Sequence, residues 1–391
     1  MTKKVAITAI SSISALGNNA NSIWNNYLKN NHFLVLKAFE NQKKWVACLD
    51  LETQNKIFDL QNENSKYKFL DKSVLFAIFV SRLAIAQAGW KKGSTFGINI
   101  GSSRGATALF ESSYKDFLTS GKTQTLASPT TTLGNISSWV AHDLQTSGPE
   151  ISHSITCSTA LHGLLNGVAW LQAGMANQFL VGGSEAPLTA FTIAQMEAMK
   201  IYSQSENGAN DNNKFPCRAL DFEKKQNSLV LAEAASVCCL EMGECKNALA
   251  YVASIGYATE VLEHSVSLST EAICFQKSMT MALKNIDLNQ IDAIVMHAPG
   301  TVLGDLSEYK AIKKIFGSHL PLLTTNKWKL GHSFGASGML SIEMAILMIK
   351  HNTFISVPFA KATLQTKPIR SVLVNAVGFG GNAVSILLEA P

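Results

Sequence analysis

Short apolar runs alternate with helix-type stretches along the whole chain, and nothing else in the sequence constrains the fold as tightly. Residues 5–10, 95–101, 178–183 and 291–296 are apolar or small at most positions rather than at every second one. Runs of this length and texture fit strands buried on both faces, which need helices above and below them. Residues 20–29, 71–88, 135–143, 158–173, 270–284, 307–316 and 337–349 read as those helices, and 372–375 with 383–388 as a closing hairpin. The pattern is α/β, with helices on both sheet faces. At 391 residues, 47% of them hydrophobic and 16% charged, the chain can build a large core in two or three units. Residues 30–68 read as polar and irregular, and 203–216 as a solvated loop.

The net charge of +5 is dispersed, with short basic clusters at Trp90-Lys91-Lys92 and from Lys310 to Lys314. No basic stripe with interleaved aromatics marks a nucleic-acid binder, but a mildly positive surface suits an acidic protein partner. Seven cysteines, an odd number without paired C-x-x-C spacing, fit reduced thiols and a cytoplasmic setting. No stretch approaches the ~20 continuous apolar residues of a membrane span, and the first apolar run reads as a strand rather than a leader. No His, Cys and Asp set has metal-ligand spacing.

Three reactive residues stand among small ones. Cys157 lies in Thr156-Cys157-Ser158-Thr159-Ala160-Leu161-His162-Gly163. His297 opens His297-Ala298-Pro299-Gly300-Thr301, and His332 lies in Gly331-His332-Ser333-Phe334-Gly335-Ala336-Ser337-Gly338. Residues 152–156 read as a strand running into Cys157, with a helix after it. That places the thiol at a helix N-terminus, where the dipole and free amides favour a thiolate. Residues 291–296 end at His297, on the sheet edge where ligands bind in such folds. A thiol with two imidazoles suits carbon–carbon bond formation on thioesters better than hydrolysis. Taken singly, Cys157 reads equally as a core cysteine, and each histidine as a strand-end residue bound to backbone.

In this order the motifs resemble those of the β-ketoacyl-[acyl carrier protein] synthases, condensing enzymes of the thiolase-like fold. Residues 5–17 resemble the family's opening strand and turn. Asn135, Gly148-Pro149 and Thr156-Cys157-Ser158-Thr159 resemble the nucleophile segment and its approach, and Gly182-Gly183-Ser184-Glu185-Ala186 the family's small-residue strand end. His297 to Thr301 with Gly304-Asp305 and Glu308 resemble the first histidine motif. Asn326-Lys327 with Gly331-His332 resemble the second, and Asn375 with Gly378-Phe379-Gly380-Gly381-Asn382-Ala383 the C-terminal glycine loop.

The resemblance implies two similar mixed-sheet halves in an α-β-α-β-α layering, 1–243 with the nucleophile and 244–391 with both histidines. It implies decarboxylative condensation of an acyl group held on Cys157 with malonyl-[acyl carrier protein], with no cofactor beyond the carrier's phosphopantetheine. His297 and His332 would bind the malonyl thioester carbonyl, with Lys327 and Glu308 orienting His332 and its charge network. The Cys157 and Phe379 amides would form the oxyanion hole, and Phe379 would gate it between mobile glycines. Thr301 and Pro299 would border the pantetheine arm. Asp305, Gly378, Gly380 and Gly381 would be structural. The implied partners are an acyl carrier protein and a second ketosynthase-like chain, identical or not.

The sequence departs from the family pattern at several points. Ala298-Pro299 stand where relatives have Gly-Thr, and Ser228 to Ala235 lacks the usual glycines. Trp328-Lys329 follow Lys327 where small residues are usual, so Trp328 either reshapes the site or points outward. The departures favour a specialised member, such as one making a polyene, over a housekeeping fatty-acid enzyme. The competing reading is a non-elongating chain-length partner, against which the retained Cys157 argues.

Overall fold

The computed structural model describes residues 4–40, 42–133, 135–204, 215–261, 268–360 and 364–391. Its strands are β1 (Val5–Ile13), β2 (Val35–Phe39), β3 (Gln42–Ala47), β4 (Gly97–Gly101), β5 (Glu150–Ile151), β6 (Gln178–Glu185) and β7 (Leu231–Ala232). They continue as β8 (Ala234–Met242), β9 (Ala250–Thr259), β10 (Ala293–Val295), β11 (Leu322–Thr324), β12 (Ser371–Gly378) and β13 (Asn382–Glu389). Ten of them run in the order β11-β10-β12-β13-β9-β1-β8-β6-β4-β5.

Five of these strands precede residue 244 and five follow it. β1 pairs with β8 from Val5 to Ile13 but with β9 over Val5 to Ile7 alone. That three-residue ladder is the only seam between the two groups of strands among the described residues.

Alternation along the strands sorts their side chains into three cores. Phe179 and Val181 of β6, Cys238 and Leu240 of β8, Val372 and Val374 of β12, and Val384 and Ile386 of β13 share one core. Both Thr159–Gln172 and Ser337–His351, two long helices, lie in it. The alternate residues Leu180, Val237 and Cys239 face a second core with helix Lys72–Ala88. Leu373 and Leu387 face a third, with helices Ile273–Ala282 and Val302–Phe316. The result is α-β-α-β-α layering with a central helical layer. Helix Ser337–His351 is buried at every position from Ser337 to Ile349, as a helix between two sheets must be. Close approach there depends on Gly338, where a Cβ would stand 2.7 Å from Leu161 Cγ.

Two expectations fail locally. Residues 30–68 are not irregular: they hold the β2–β3 hairpin and helix Leu51–Glu63, capped by Asp50, whose Oδ1 accepts the Thr53 amide at 2.6 Å. Only Thr53, Ile57 and Leu60 of that helix are buried, too thin a stripe to register as periodic. Residues 152–156 are not a strand, because pairing with β4 stops at Ile151. The chain continues as a loop, with the Ser102 amide donating to His153 O at 3.2 Å. Most of the expected 203–216 loop, residues 205–214, lies outside the described residues.

Candidate active site

A tight turn, Thr156–Ser158, leads from the loop into helix Thr159–Gln172 and carries the buried Cys157. Thr156 takes a φ of +47°, a conformation costly for a β-branched residue. Thr159 Oγ1 holds it there, donating to Thr156 O at 2.6 Å and accepting the Ile155 amide at 2.9 Å. The end of β12 packs directly on this elbow. A Cβ on Gly378 would lie 2.0 Å from Thr156 Oγ1 and 2.5 Å from Ile155 O, so only glycine fits. Phe379-Gly380-Gly381 forms the next turn, Gly380 and Gly381 at φ of +90° and +70°, with Phe379 half-buried.

Burial opposes the thiolate that the helix terminus favours at Cys157. Burial pushes the thiol up to about 12 and the Glu185 charge adds to it, while Lys327 pulls the other way. The raised value favours a neutral thiol at Cys157.

His297 follows β10, and Glu308 grips the bend after it. Glu308 Oε1 accepts the His297 amide and Oε2 the Ala298 amide, each at 2.9 Å. Asn375 Nδ2 donates to Oε1 at 3.2 Å, and Asn375 is itself fixed by Ser385 Oγ at 2.8 Å. These contacts put Glu308 on the backbone of His297, whereas the sequence pointed to His332. Burial raises the Glu308 carboxyl to about 7 against the pull of its donors.

His332 is held through its main chain: its amide donates to Val230 O at 2.7 Å, and its carbonyl accepts from the Ala232 amide at 3.1 Å. The two imidazoles stand edge to face, with centroids 5.4 Å apart and planes at 88°. Burial, and then the charge of Lys327, hold both well below the usual histidine range, so both are neutral at pH 7. Both Nδ1 atoms are buried without a hydrogen-bond partner among the described residues.

Lys327 is buried, and burial brings its ammonium down to about 8 against the opposing charges of Glu308 and Asp305. Its charge acts on Cys157, His297 and His332 alike. Asp305 braces the loop after His297, accepting from the Gly300 amide at 3.0 Å, the Leu220 amide at 2.9 Å and Lys224 Nζ at 2.6 Å. Thr301 Oγ1 caps helix Val302–Phe316 by accepting the Gly304 amide at 3.2 Å, which leaves its hydroxyl proton free to donate. Pro299 beside it is half-buried.

Two further residues bear on the site: Glu185, whose role escaped the sequence reading, and Trp328, which it left between inward and outward. Glu185, at the end of β6, is fully buried; its Oε1 accepts the Ser103 amide and, at 3.0 Å, the Gly335 amide. It thus ties the turn after β4 to the loop carrying His332, beside Cys157. One carboxylate closing a glycine-rich buried strand was the available signal. Trp328 points inward, its ring 5.6 Å from Phe215 and 6.2 Å from Phe359. Phe215 and Phe359 line a cleft of about 1690 Å³ with Arg218, Lys224, Lys225 and Ser228. Ser228 Oγ donates to Gly300 O at 2.8 Å, so the cleft reaches the back of the His297 loop.

Among the described residues no group of His, Cys, Asp and Glu is arranged to hold a metal ion, and no helix is long and apolar enough to cross a membrane.

The chain is 26% identical over 412 residues to the 3-oxoacyl-[acyl-carrier-protein] synthase 2 of Staphylococcus aureus (strain COL), covering 98% of both chains. Among solved structures it is similar to the ishigamide ketosynthase/chain length factor, with a TM-score of 0.87 at 18% identity, covering all of both chains. It is also similar to the ketosynthase ApeO in complex with its chain length factor ApeC from Xenorhabdus doucetiae, with a TM-score of 0.80 at 19% identity, covering 100% of this chain and 98% of that one. The profile described as Beta-ketoacyl synthase, N-terminal domain matches residues 2–244, and that of Beta-ketoacyl synthase, C-terminal domain matches 249–358. With both family domains matched over most of its length, the chain belongs to the beta-ketoacyl synthase family.

Proposed function

We propose that the protein is a condensing acyltransferase that extends an acyl group on Cys157 with malonyl-[acyl carrier protein]. The observation that carries this reading is a buried elbow thiol clustered with Phe334, the ring that packs on His332, together with two buried, neutral imidazoles set edge to face. In the first half-reaction the Cys157 sulfur attacks the acyl thioester, the carrier's sulfur leaves, and the thiol proton passes to it. The Cys157 and Phe379 amides receive the developing oxyanion. Lys327 favours the attacking thiolate, whose formation burial and Glu185 oppose.

In the second half-reaction the malonyl carbon–carbon bond breaks, carbon dioxide leaves, and the electron pair collects on the thioester enolate. His297 and His332 each donate from Nε2 to that oxygen. With the proton on Nε2, the buried Nδ1 is an unpaired acceptor rather than an unpaired donor. Neutral donors suit an enolate because they stabilise it without quenching the carbanion. The carbanion attacks the acyl carbonyl, the carbon–sulfur bond breaks, and the Cys157 thiolate takes a proton from water. No cofactor beyond the carrier's phosphopantetheine enters.

The carrier arm enters through the cleft bounded by Arg218, Lys225 and Phe359 and passes Pro299 and Thr301. Cations there suit a phosphate and an acidic carrier. Residues 1–243 supply the nucleophile and 244–391 the histidines. The active unit is a dimer, with a second copy or a related ketosynthase-like chain, in the cytoplasm.

The test is mass spectrometry of carrier-bound products from the pure protein, acyl carriers and malonyl carrier, beside Cys157→Ala. A product longer by two carbons, absent with the variant, supports the reading. Extension that survives Cys157→Ala overturns it.

A further inference from the structure

Cys157 shares an apolar cluster with Phe39, Val46, Ile193, Met196, Tyr202 and Leu229. Ile193 and Met196 come from one face of helix Ala190–Ala198. The neighbouring stripe of that helix, Thr192 and Gln195, is polar and is bound by Arg104. Arg104 belongs to the turn after β4, whose Ser103 amide donates to Glu185, the carboxylate whose charge acts on Cys157. Its guanidinium therefore stands on the helix that lends Ile193 and Met196 to the cluster around Cys157.

Nη2 of Arg104 donates to Thr192 Oγ1 at 3.3 Å and to Gln195 Oε1. Among the described residues, Nε and Nη1 have no hydrogen-bond partner and no carboxylate pairs with the guanidinium. The nearby Glu111 carboxylate is occupied by Thr189 Oγ1, at 2.8 Å, and Thr189 in turn caps the helix by accepting the Thr192 amide at 3.1 Å. A guanidinium has five N–H donors in a fixed fork. Two are spent on anchoring, and a half-buried side chain holds the rest. A leucine or methionine would continue the apolar wall; an anchored cation with spare donors offers an oxygen acceptor a place to bind.

We infer that Arg104 selects acyl groups carrying an oxygen acceptor, a ketone or a carboxylate, at a distance from the thioester. The inference rests on the condensing reading above and names its substrate class. Thr192 and Gln195 hold the guanidinium in place, and the aliphatic stretch of the acyl group lies against Ile193 and Met196. Losing a partner for a charged donor in a partly dry site costs enough to discriminate matched chains by about tenfold or more.

The experiment follows the initial rate of Cys157 acylation by intact-protein mass spectrometry. Carriers bear matched chains: hexanoyl, 5-oxohexanoyl and 5-carboxypentanoyl, with the corresponding eight-carbon set. In the wild-type protein at least one oxygenated chain loads about tenfold faster than its alkyl mate. Whichever arm leads, ketone or carboxylate, identifies the acceptor. In Arg104→Met that ratio falls to about one. Equal or faster loading of the alkyl chains by the wild type overturns the inference, with no variant needed should Arg104→Met fail to fold. So does a preference that persists in folded Arg104→Met. If no chain of any kind loads, the condensing reading itself fails, a result distinct from loading without preference.

Discussion

The imidazoles of His297 and His332 face each other at right angles across 5.4 Å, although 35 residues separate them in the chain. Neither ring is held by a hydrogen bond at Nδ1; Glu308 fixes the main chain of one, and Val230 with Ala232 that of the other. Both rings act, on this reading, after the acyl group is on Cys157. His332→Ala and His297→Ala should therefore still form acyl-Cys157, while extension falls by about 10²–10³-fold, the usual cost of removing one donor to a developing oxyanion. Intact mass of the enzyme and mass of the carrier-bound product separate the two steps. Equal loss of both steps would count against this division of labour.

Burial raises the Cys157 thiol most, and two opposed charges then adjust it. Glu185 raises the thiol further and Lys327 lowers it. At pH 8 Glu185→Gln should speed alkylation by iodoacetamide several-fold, and Lys327→Met should slow it, since a unit of pKa changes the thiolate fraction about tenfold. Burial raises the Glu185 carboxyl itself to about 7, so the Glu185→Gln effect should fade below pH 6, where the native residue is already neutral. Alkylation rates against pH, fitted for each protein, give the comparison.

Long elements buried on both faces were readable because most positions in them are apolar or small: β6, β12 and helix Ser337–His351 fall within a few residues of the expected bounds. The reactive trio was readable because small residues surround each member. Elements with one thin buried stripe were not, as helix Leu51–Glu63 shows. Nor were relationships that only the third dimension creates. Glu308 pairs with His297 because helix Val302–Phe316 turns back over β10. Burial raises the Cys157 thiol because the apolar wall around it comes from residues as distant as Phe39 and Phe334.

Glu308 also makes stability depend on pH. Its carboxyl stands at about 7 in the fold, against an ordinary 4.5. An acid with a raised value binds its proton more tightly when folded, so its contribution is full below pH 4.5 and is lost as pH rises through 7. The two histidines act in the opposite sense: held neutral, they add stability above about pH 6.5 and lose it as pH falls below that. Comparing wild type with Glu308→Gln cancels the histidines. The wild-type advantage in urea unfolding should shrink from pH 5 to pH 8 by an amount on the order of 3 kcal/mol. An advantage that grows with pH would contradict the buried-acid account.

The last expectation concerns assembly. Helix Thr107–Ser120 buries only Thr107, yet presents Phe110, Tyr114, Phe117 and Leu118 at 58%, 54%, 49% and 66% exposure. These positions follow helical spacing, so they form one apolar stripe that water alone covers in a single chain. Strand β5 is the open edge of the ten-stranded sheet on the same half of the molecule, and an unpaired edge is a second site that favours a partner. A dimer formed here would cover both features and close the side of the molecule where Arg104 and Glu111 lie. Phe117→Asp should then leave the helix folded, because the ring it stacks on, Tyr114 of the same helix, is itself exposed, while raising the dimer dissociation constant at least tenfold. Sedimentation velocity over a concentration series reads this directly. If the wild type is a monomer at micromolar concentration but dimerises with a related ketosynthase-like chain, and Phe117→Asp weakens that pairing, the stripe is the seam of a mixed pair. If Phe117→Asp leaves every association unchanged, the interface lies elsewhere.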